Sequence, residues 1–219
     1  MWDVAARRVA FRLAEHDSGI ATLAFSPDER LLVSIGDTAD KRVFVWDTAS
    51  GHIVASGSTS PARGSPPLPV TAIAWSPVTV AQNGTYCFAT AGPKGVLLWT
   101  LDPRSGALGF EALTTASLHR LHQSVAFSPD GTRLHAGTES GDIVTWVIRT
   151  RVMTDVTPIV CTSGVPVLTP LGDGRLLVGG GDGTVAVVSA ARRPPSPSLP
   201  LSLSLSHTHT LFLSLAHAE

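Results

Sequence analysis

His16, Ser34 and Asp40 are the side chains of this 219-residue chain best placed to do chemistry. Together they could run acyl transfer, with a hydroxyl that attacks, an imidazole that takes its proton and a carboxylate that orients the ring. The surroundings speak against that use. No Gly-x-Ser-x-Gly nucleophile elbow encloses Ser34. Add Trp46, and the same residues make a hydrogen-bond chain in which the indole donates, the hydroxyl relays, the imidazole bridges and the carboxylate anchors. Buried polar groups must be paired, and such a chain pairs all four while tying loops to a sheet. His16, Ser34, Asp40 and Trp46 are therefore read as a structural tetrad, and no catalytic residue is expected. Two other motifs carry no more. Gly179–Gly183 follows a strand-like run, but no Lys-Ser/Thr pair and no helix come after it, so a hairpin turn is expected rather than a phosphate loop. His207 and His209 have no third ligand at a defined spacing, so neither a metal nor a cofactor is expected.

The elements that must position the tetrad repeat along the chain. Trp2-Asp3, Val43–Trp46 with Asp47, Val96–Trp99 and Ile143–Trp146 each close an apolar run, and the tryptophans are spaced 44, 53 and 47 residues apart. Val185–Val188 with Ser189 is a degenerate fifth copy. Four of the five tryptophans stand at this one position. A period of about 40–45 residues with a Trp-Asp dipeptide marks WD repeats, each folding as a four-stranded propeller blade. A second marker keeps phase with the first: Phe25-Ser26-Pro27, Trp75-Ser76-Pro77, Phe127-Ser128-Pro129 and Leu168-Thr169-Pro170. Proline presets a turn, and Asp28 or Asp130-Gly131 completes it. The expected fold is all-β, with Val43–Trp46, Val96–Trp99 and Ile143–Trp146 as third strands whose tryptophans are buried between neighbouring blades.

The repeats are unequal. The first blade is represented only by its last strands, with Arg8–Leu13 expected as the outer one. Units centred on Trp46, Trp99 and Trp146 follow, then a weaker one ending near Ser189. About four blades and a partial blade are fewer than most WD-repeat rings contain, so an incomplete ring and a slice of a longer protein are expected. An open arc leaves two blade faces wet, and marginal stability in isolation follows. Only the unit at Trp46 has all four tetrad members. Its neighbours have Pro93 and Ser140 in place of Asp40, and Val188 replaces the last tryptophan. Thr90 can supply the hydroxyl in the second unit. Aligning Gly137 with Gly36 puts His135 in the place of Ser34 in the third. His119 and His122 precede that unit's first strand, and one of them is expected to be structural. The polar stretch Ala55–Pro69 is long for a propeller connection; a functional loop and simple disorder are the two readings, and disorder is preferred.

Residues 1–191 are read as one partial propeller and residues 192–219 as a separate tail. The propeller part has the apolar content of a packed domain; the whole chain is 43% hydrophobic with 20 glycines. With a net charge of −1 and no basic stripe, no nucleic-acid partner is expected. Two cysteines give no disulfide framework, which suits a reducing compartment. The N-terminus shows no signal-peptide pattern and no apolar run reaches 18 residues, so no membrane partner is expected. In the tail, a Pro-rich stretch gives way to Leu201–Ser206 and His207–Thr210, strict two-residue alternations of the kind that CT and CA dinucleotide repeats encode. The tail is expected to be disordered or an artefact of the gene model.

Beyond the general WD signature, residues 1–190 resemble the cilia- and flagella-associated protein 52 family. The segments that carry the resemblance are Phe25–Gly36 with the inserted Asp37–Asp40, Phe88–Gly92 through Leu97–Leu101, Ala136–Ile143 with Arg149–Val156, and Gly174–Gly180. Their order and spacing look like those of that family's first propeller. The resemblance implies a non-enzymatic structural protein of the axoneme of motile cilia and flagella, lodged inside doublet microtubules and bracing tubulin from the lumen. Its partners would be tubulin and other axonemal proteins. The alternative is a soluble WD-repeat adaptor in a multiprotein complex such as a ubiquitin ligase.

Overall fold

The Ser-Pro and Trp markers recur because each brackets one blade. The structure, a computed structural model, describes residues 1–60, 66, 68–78, 84–115 and 119–189. A two-stranded ribbon, β1 (Trp2–Asp3) and β2 (Arg8–Val9), comes first. Blade 1 follows with β3 (Ile20–Phe25), β4 (Leu31–Gly36), β5 (Arg42–Asp47) and β6 (Ile53–Ser58). Blade 2 contains β7 (Ala72–Trp75), β8 (Tyr86–Gly92), β9 (Gly95–Asp102) and β10 (Ala107–Leu113). Blade 3 contains β11 (His122–Phe127), β12 (Arg133–Thr138), β13 (Ile143–Val147) and β14 (Val152–Val156). Blade 4 shows three strands, β15 (Val167–Pro170), β16 (Arg175–Gly179) and β17 (Val185–Ser189). Within each blade the strands pair antiparallel in chain order. The segments expected as third strands are β5, β9 and β13, and Trp46, Trp99 and Trp146 are buried at 3%, 1% and 0% exposure.

Strand register puts the blades on a common scale. Leu32, Phe88, Leu134 and Leu176 stand opposite Trp46, Trp99, Trp146 and Val188. Because side chains alternate along a strand, these pairs face the preceding unit and their immediate neighbours face the following one. Three cores fill the spaces between consecutive blades. Leu31, Val33, Ile35, Val43 and Val45 of blade 1 meet Trp75, Phe88, Trp99 and Leu101 of blade 2. Ala89, Ala91, Val96 and Leu98 of blade 2 meet Phe127, Leu134, Val144 and Trp146 of blade 3. Ala126 and Ile143 of blade 3 meet Leu168, Leu176 and Val178 of blade 4. Hydrogen bonds cross the first boundary as well, from the Trp75 indole to the Ala24 carbonyl (3.0 Å) and from the Tyr86 hydroxyl to Asp28 (2.6 Å).

The sheets form an open arc. Its two end faces leave apolar side chains in water: Leu23 (55% exposed) and Phe25 (48%) on blade 1, Val167 (57%) and Val185 (56%) on blade 4.

Two expectations need correction. The outer strand expected over Arg8–Leu13 forms a ladder only at Arg8–Val9, against Trp2 and Asp3, and is carried on by hydrogen bonds from the Ala10 amide to the Met1 carbonyl and from the Met1 amine to the Phe11 carbonyl. The stretch from Ala55 is not loop at its start, since β6 runs to Ser58 and pairs with β5. Its small residues serve close packing; a side chain at Gly57 would press on Leu108 of blade 2. The rest of that stretch lies partly, and the 192–219 tail wholly, outside the described residues. Both cysteines are free thiols: Cys87 is in β8 and Cys161 is buried ahead of β15.

Candidate functional site

Four elements of blade 1 converge on one buried polar group. His16 comes from the segment ahead of β3, Ser34 from β4, Asp40 from the turn into β5, and Trp46 from β5 itself. The His16 Nδ1 lies 2.6 Å from Asp40 Oδ2, and its Nε2 lies 2.8 Å from Ser34 Oγ. The Trp46 indole N–H donates to Ser34 Oγ at 2.9 Å. A carboxylate only accepts, so Nδ1–H donates to Asp40; with a neutral ring, Nε2 accepts from the Ser34 hydroxyl, whose oxygen accepts from the indole. Ser34 is 4% exposed, and both its neighbours in this chain occupy its oxygen. Phe44 closes the group from one side, edge-on to the His16 ring at 4.9 Å and tilted against Trp46.

Asp40 is the hub. Its Oδ1 also accepts from the Asp17 amide (2.7 Å) and from Arg42 Nε (3.2 Å), and its Oδ2 accepts from the Arg42 amide (3.2 Å). The Arg42 guanidinium continues outward to Asp17 at 2.5 Å. Burial works against ionisation here, yet the hydrogen bonds from His16, the Asp17 amide and Arg42 outweigh it. They hold the Asp40 carboxyl well below the ordinary carboxylate range. Gly36 lies directly under this carboxylate, and a Cβ there would collide with it. Asp17 and Arg42 were missed in the sequence, although Arg42, two residues after the turn acid, was a readable signal.

The other blades keep different parts of the arrangement. In blade 2, Trp99 donates to the Thr90 hydroxyl at 3.0 Å, while Pro93 removes the carboxylate. In blade 3 the expected alignment fails. His135 pairs with Thr145 and so stands in the register of Val33, whereas Ala136 occupies the Ser34 position. A shift of one residue moves a side chain to the other face of the sheet, and the Gly36–Gly137 match hid that shift. Without a hydroxyl at 136, the Trp146 indole donates to the Thr114 carbonyl at 2.9 Å. His122 is the buried histidine of the pair considered, at 1% exposure and packed against Trp146, and burial lowers its pKa to about 4. In blade 4, Asp182 accepts from the Thr162 amide (2.7 Å) and hydroxyl (2.9 Å), much as Asp40 accepts from Asp17. Cys161 precedes Thr162 as His16 precedes Asp17, and Val178 and Val188 stand in the registers of Ser34 and Trp46.

The remaining repeat positions hold turns. Asp47 accepts from the Ala49 and Ser50 amides and the Ser50 hydroxyl, which lowers its pKa. Asp3 accepts from the Ala6 amide (2.9 Å), and Trp2 enters a ladder with Val9 through its backbone. Among the described residues no cluster of three or more His, Cys, Asp or Glu could hold a metal ion, and no helix is long and apolar enough to cross a membrane.

Comparison with known proteins agrees with this architecture. Residues 8–47, which contain the whole tetrad, match the family model "WD domain, G-beta repeat". Cilia- and flagella-associated protein 52 of Bos taurus is 30% identical over 197 residues, covering 89% of this chain and 30% of that protein. Centriole proteome protein 16 of Chlamydomonas reinhardtii is 41% identical over 102 residues, covering 47% of this chain and 4% of that protein. The chain thus spans under a third of these curated relatives. The β-propeller domain of Myceliophteria thermophila Cps50 (Swd1) superimposes with a TM-score of 0.67 at 21% identity, covering 85% of this chain and 57% of that one. The chain is a WD-repeat β-propeller protein, and over most of its length it resembles the cilia- and flagella-associated protein 52 family.

Proposed function

We propose that this chain is part of a non-catalytic scaffold protein of motile cilia and flagella, which binds axonemal doublet microtubules and neighbouring proteins through propeller faces. The observation that carries the reading is the likeness to cilia- and flagella-associated protein 52 across all four blades. The use of the polar residues supports it. Ser34, the one serine among the described residues with a histidine and a carboxylate in line, spends its hydroxyl on Trp46 and His16 in a buried site. In this reading His16, Ser34, Asp40 and Trp46 brace the entry loop of blade 1 against its third strand and take no part in turnover. Residues 1–191 act as the propeller portion and 192–219 as an appendage to it.

Fractionation of cilia tests the proposal. The protein should remain with salt-washed axonemes and leave only when the doublets are dissolved. Recovery in the membrane-and-matrix fraction would sink the axonemal assignment, and hydrolytic turnover lost on Ser34→Ala would sink the non-catalytic one.

A further inference from the structure

The three blade boundaries use equivalent positions very differently. Register places Leu31, Cys87 and Arg133 at one of them, Val33, Ala89 and His135 at a second, and Val45, Leu98 and Thr145 at a third. The first two boundaries are therefore aliphatic or thiol-lined, whereas the third sets a guanidinium, an imidazole and a hydroxyl against blade 4. The facing side of blade 4 is also reduced, because Val188 replaces the tryptophan that Trp99 and Trp146 supply elsewhere. Both changes act in one place, where a cleft of about 300 Å³ opens between the Ser-Pro turn of blade 3 and the corresponding turn of blade 4. An opening of this size is at the small end of the range for ligand pockets.

The cleft contains unused polar capacity. His135 is 1% exposed, and its Nδ1 meets the Thr145 hydroxyl at 2.9 Å. The Thr145 hydroxyl can donate to Nδ1 or accept from it; in the tautomer in which it donates, Nε2 carries the hydrogen, and Nε2 makes no hydrogen bond among the described residues. Arg133 is on the same face two residues earlier, and its guanidinium likewise has no ion pair or hydrogen bond among them. The other charges of the cleft are engaged. Asp130 accepts from Ser128 and Thr132, and Arg175 is paired with Asp173 at 2.6 Å. Pro129, Pro170 and Leu176 supply apolar walls. Arg133 and His135 both line the cleft, and polar residues that break a repeat's apolar pattern mark places where function overrides packing.

We propose that this cleft binds an acidic segment of a partner protein, seating one carboxylate side chain between the Arg133 guanidinium and the Nε2–H of His135. The apolar walls take the aliphatic stem of a glutamate. The carboxylate of Asp130 in the cleft wall favours a monoanion over a phosphate. Burial lowers the His135 pKa to about 4, so at neutral pH the ring is an uncharged donor and Arg133 supplies the charge. The inference deepens the scaffold reading and rests on it for the partner being a protein.

The test is NMR of the full chain titrated with acetyl-Ala-Leu-Glu-Leu-Ala-amide, following the His135 ring and the Arg133 Nε–H. Both signals should move to saturation with the glutamate peptide, and the glutamine counterpart should bind about tenfold more weakly. Arg133→Gln should lose the glutamate preference while the protein keeps its melting behaviour. Equal binding of the two peptides, shifts confined to other residues, or inorganic phosphate binding more tightly than the peptide would each overturn the proposal. If Arg133→Gln does not fold, Arg133→Ala replaces it, and an unchanged glutamate preference in that variant overturns the proposal. Co-sedimentation with salt-washed axonemes separates this proposal from the scaffold reading. Protein that binds the peptide but stays off axonemes removes the ciliary role and leaves the cleft. Protein that co-sediments but ignores the peptide removes the cleft and leaves the ciliary role.

Discussion

The boundary between blades 1 and 2 and the boundary between blades 3 and 4 are built from the same strand positions and do opposite things. At the first, Leu31, Val33 and Val45 close on an aromatic stack in which Phe88 lies parallel to Trp99 at 5.5 Å and Trp75 and Phe110 pack against its two ends. At the second, Arg133, His135 and Thr145 face a blade without its tryptophan, and a cleft remains. One strand framework therefore supports either a dry, aromatic seam or one with a polar cleft beside its apolar core, and the choice rests on a few side chains per blade. The dry seam carries stability; the polar cleft gives it up locally and keeps donors free.

This contrast can be broken from its strong side first. Trp99→Ala removes a side chain that is 1% exposed and stacked on Phe88, and should cost about 3–5 kcal/mol by thermal or denaturant unfolding. A loss below about 1 kcal/mol would mean that the seam does not carry the stability assigned to it. Next comes the brace of blade 1. Asp40→Ala leaves His16, the Asp17 amide and Arg42 without their acceptor, and should cost about 1–3 kcal/mol. The same carboxylate gives the melt a pH signature. Its folded pKa lies below the ordinary 3.8, so its contribution is complete above that value and fades as pH falls below it. Wild type should lose stability on acidification more steeply than Asp40→Asn, and parallel pH profiles would refute the linkage. The polar cleft should respond in the opposite sense. Arg133→Leu with His135→Val installs the residues of the dry seam and should stabilise by about 0.5–2 kcal/mol. Destabilisation would show that the polar pair is already satisfied. The smallest effect concerns the turn before the third strand. Lys41 adopts φ +64° where blades 3 and 4 place Gly141 and Gly183 in the same left-handed region. Lys41→Gly should raise stability by at most about 1 kcal/mol, strain relief being offset by added freedom of the unfolded chain.

How far the sequence disclosed this depended on what each residue answers to. The third strands were legible because indole burial and the Ser-Pro turns repeat in phase. The convergence of His16, Ser34, Asp40 and Trp46 was legible because a turn acid six residues before the tryptophan fixes its own place. His135 was misplaced because glycine was used as a ruler, and Gly36 and Gly137 answer to different neighbours, the Asp40 carboxylate in one case and Ser124 with Val165 in the other. Only backbone pairing resolves that one-residue difference. The cleft was not legible at all. It arises from Arg133 and His135 on one repeat and a missing indole on the next, two facts that no single repeat contains.

The aromatic donors that cross blade boundaries share a direction. Trp75 and Tyr86 of blade 2 reach back to Ala24 and Asp28 of blade 1, and Trp146 of blade 3 reaches back to Thr114, just after blade 2. Each acceptor is synthesised before its donor. As the chain leaves the ribosome, the carbonyl of Ala24 and the carboxylate of Asp28 are in place before Trp75 and Tyr86 arrive, and the Thr114 carbonyl before Trp146. The Thr71 and Ser124 hydroxyls run the other way and wait for the later carbonyls of His122 and Val165, so the boundary between blades 2 and 3 is tied by donors from both sides of it in time.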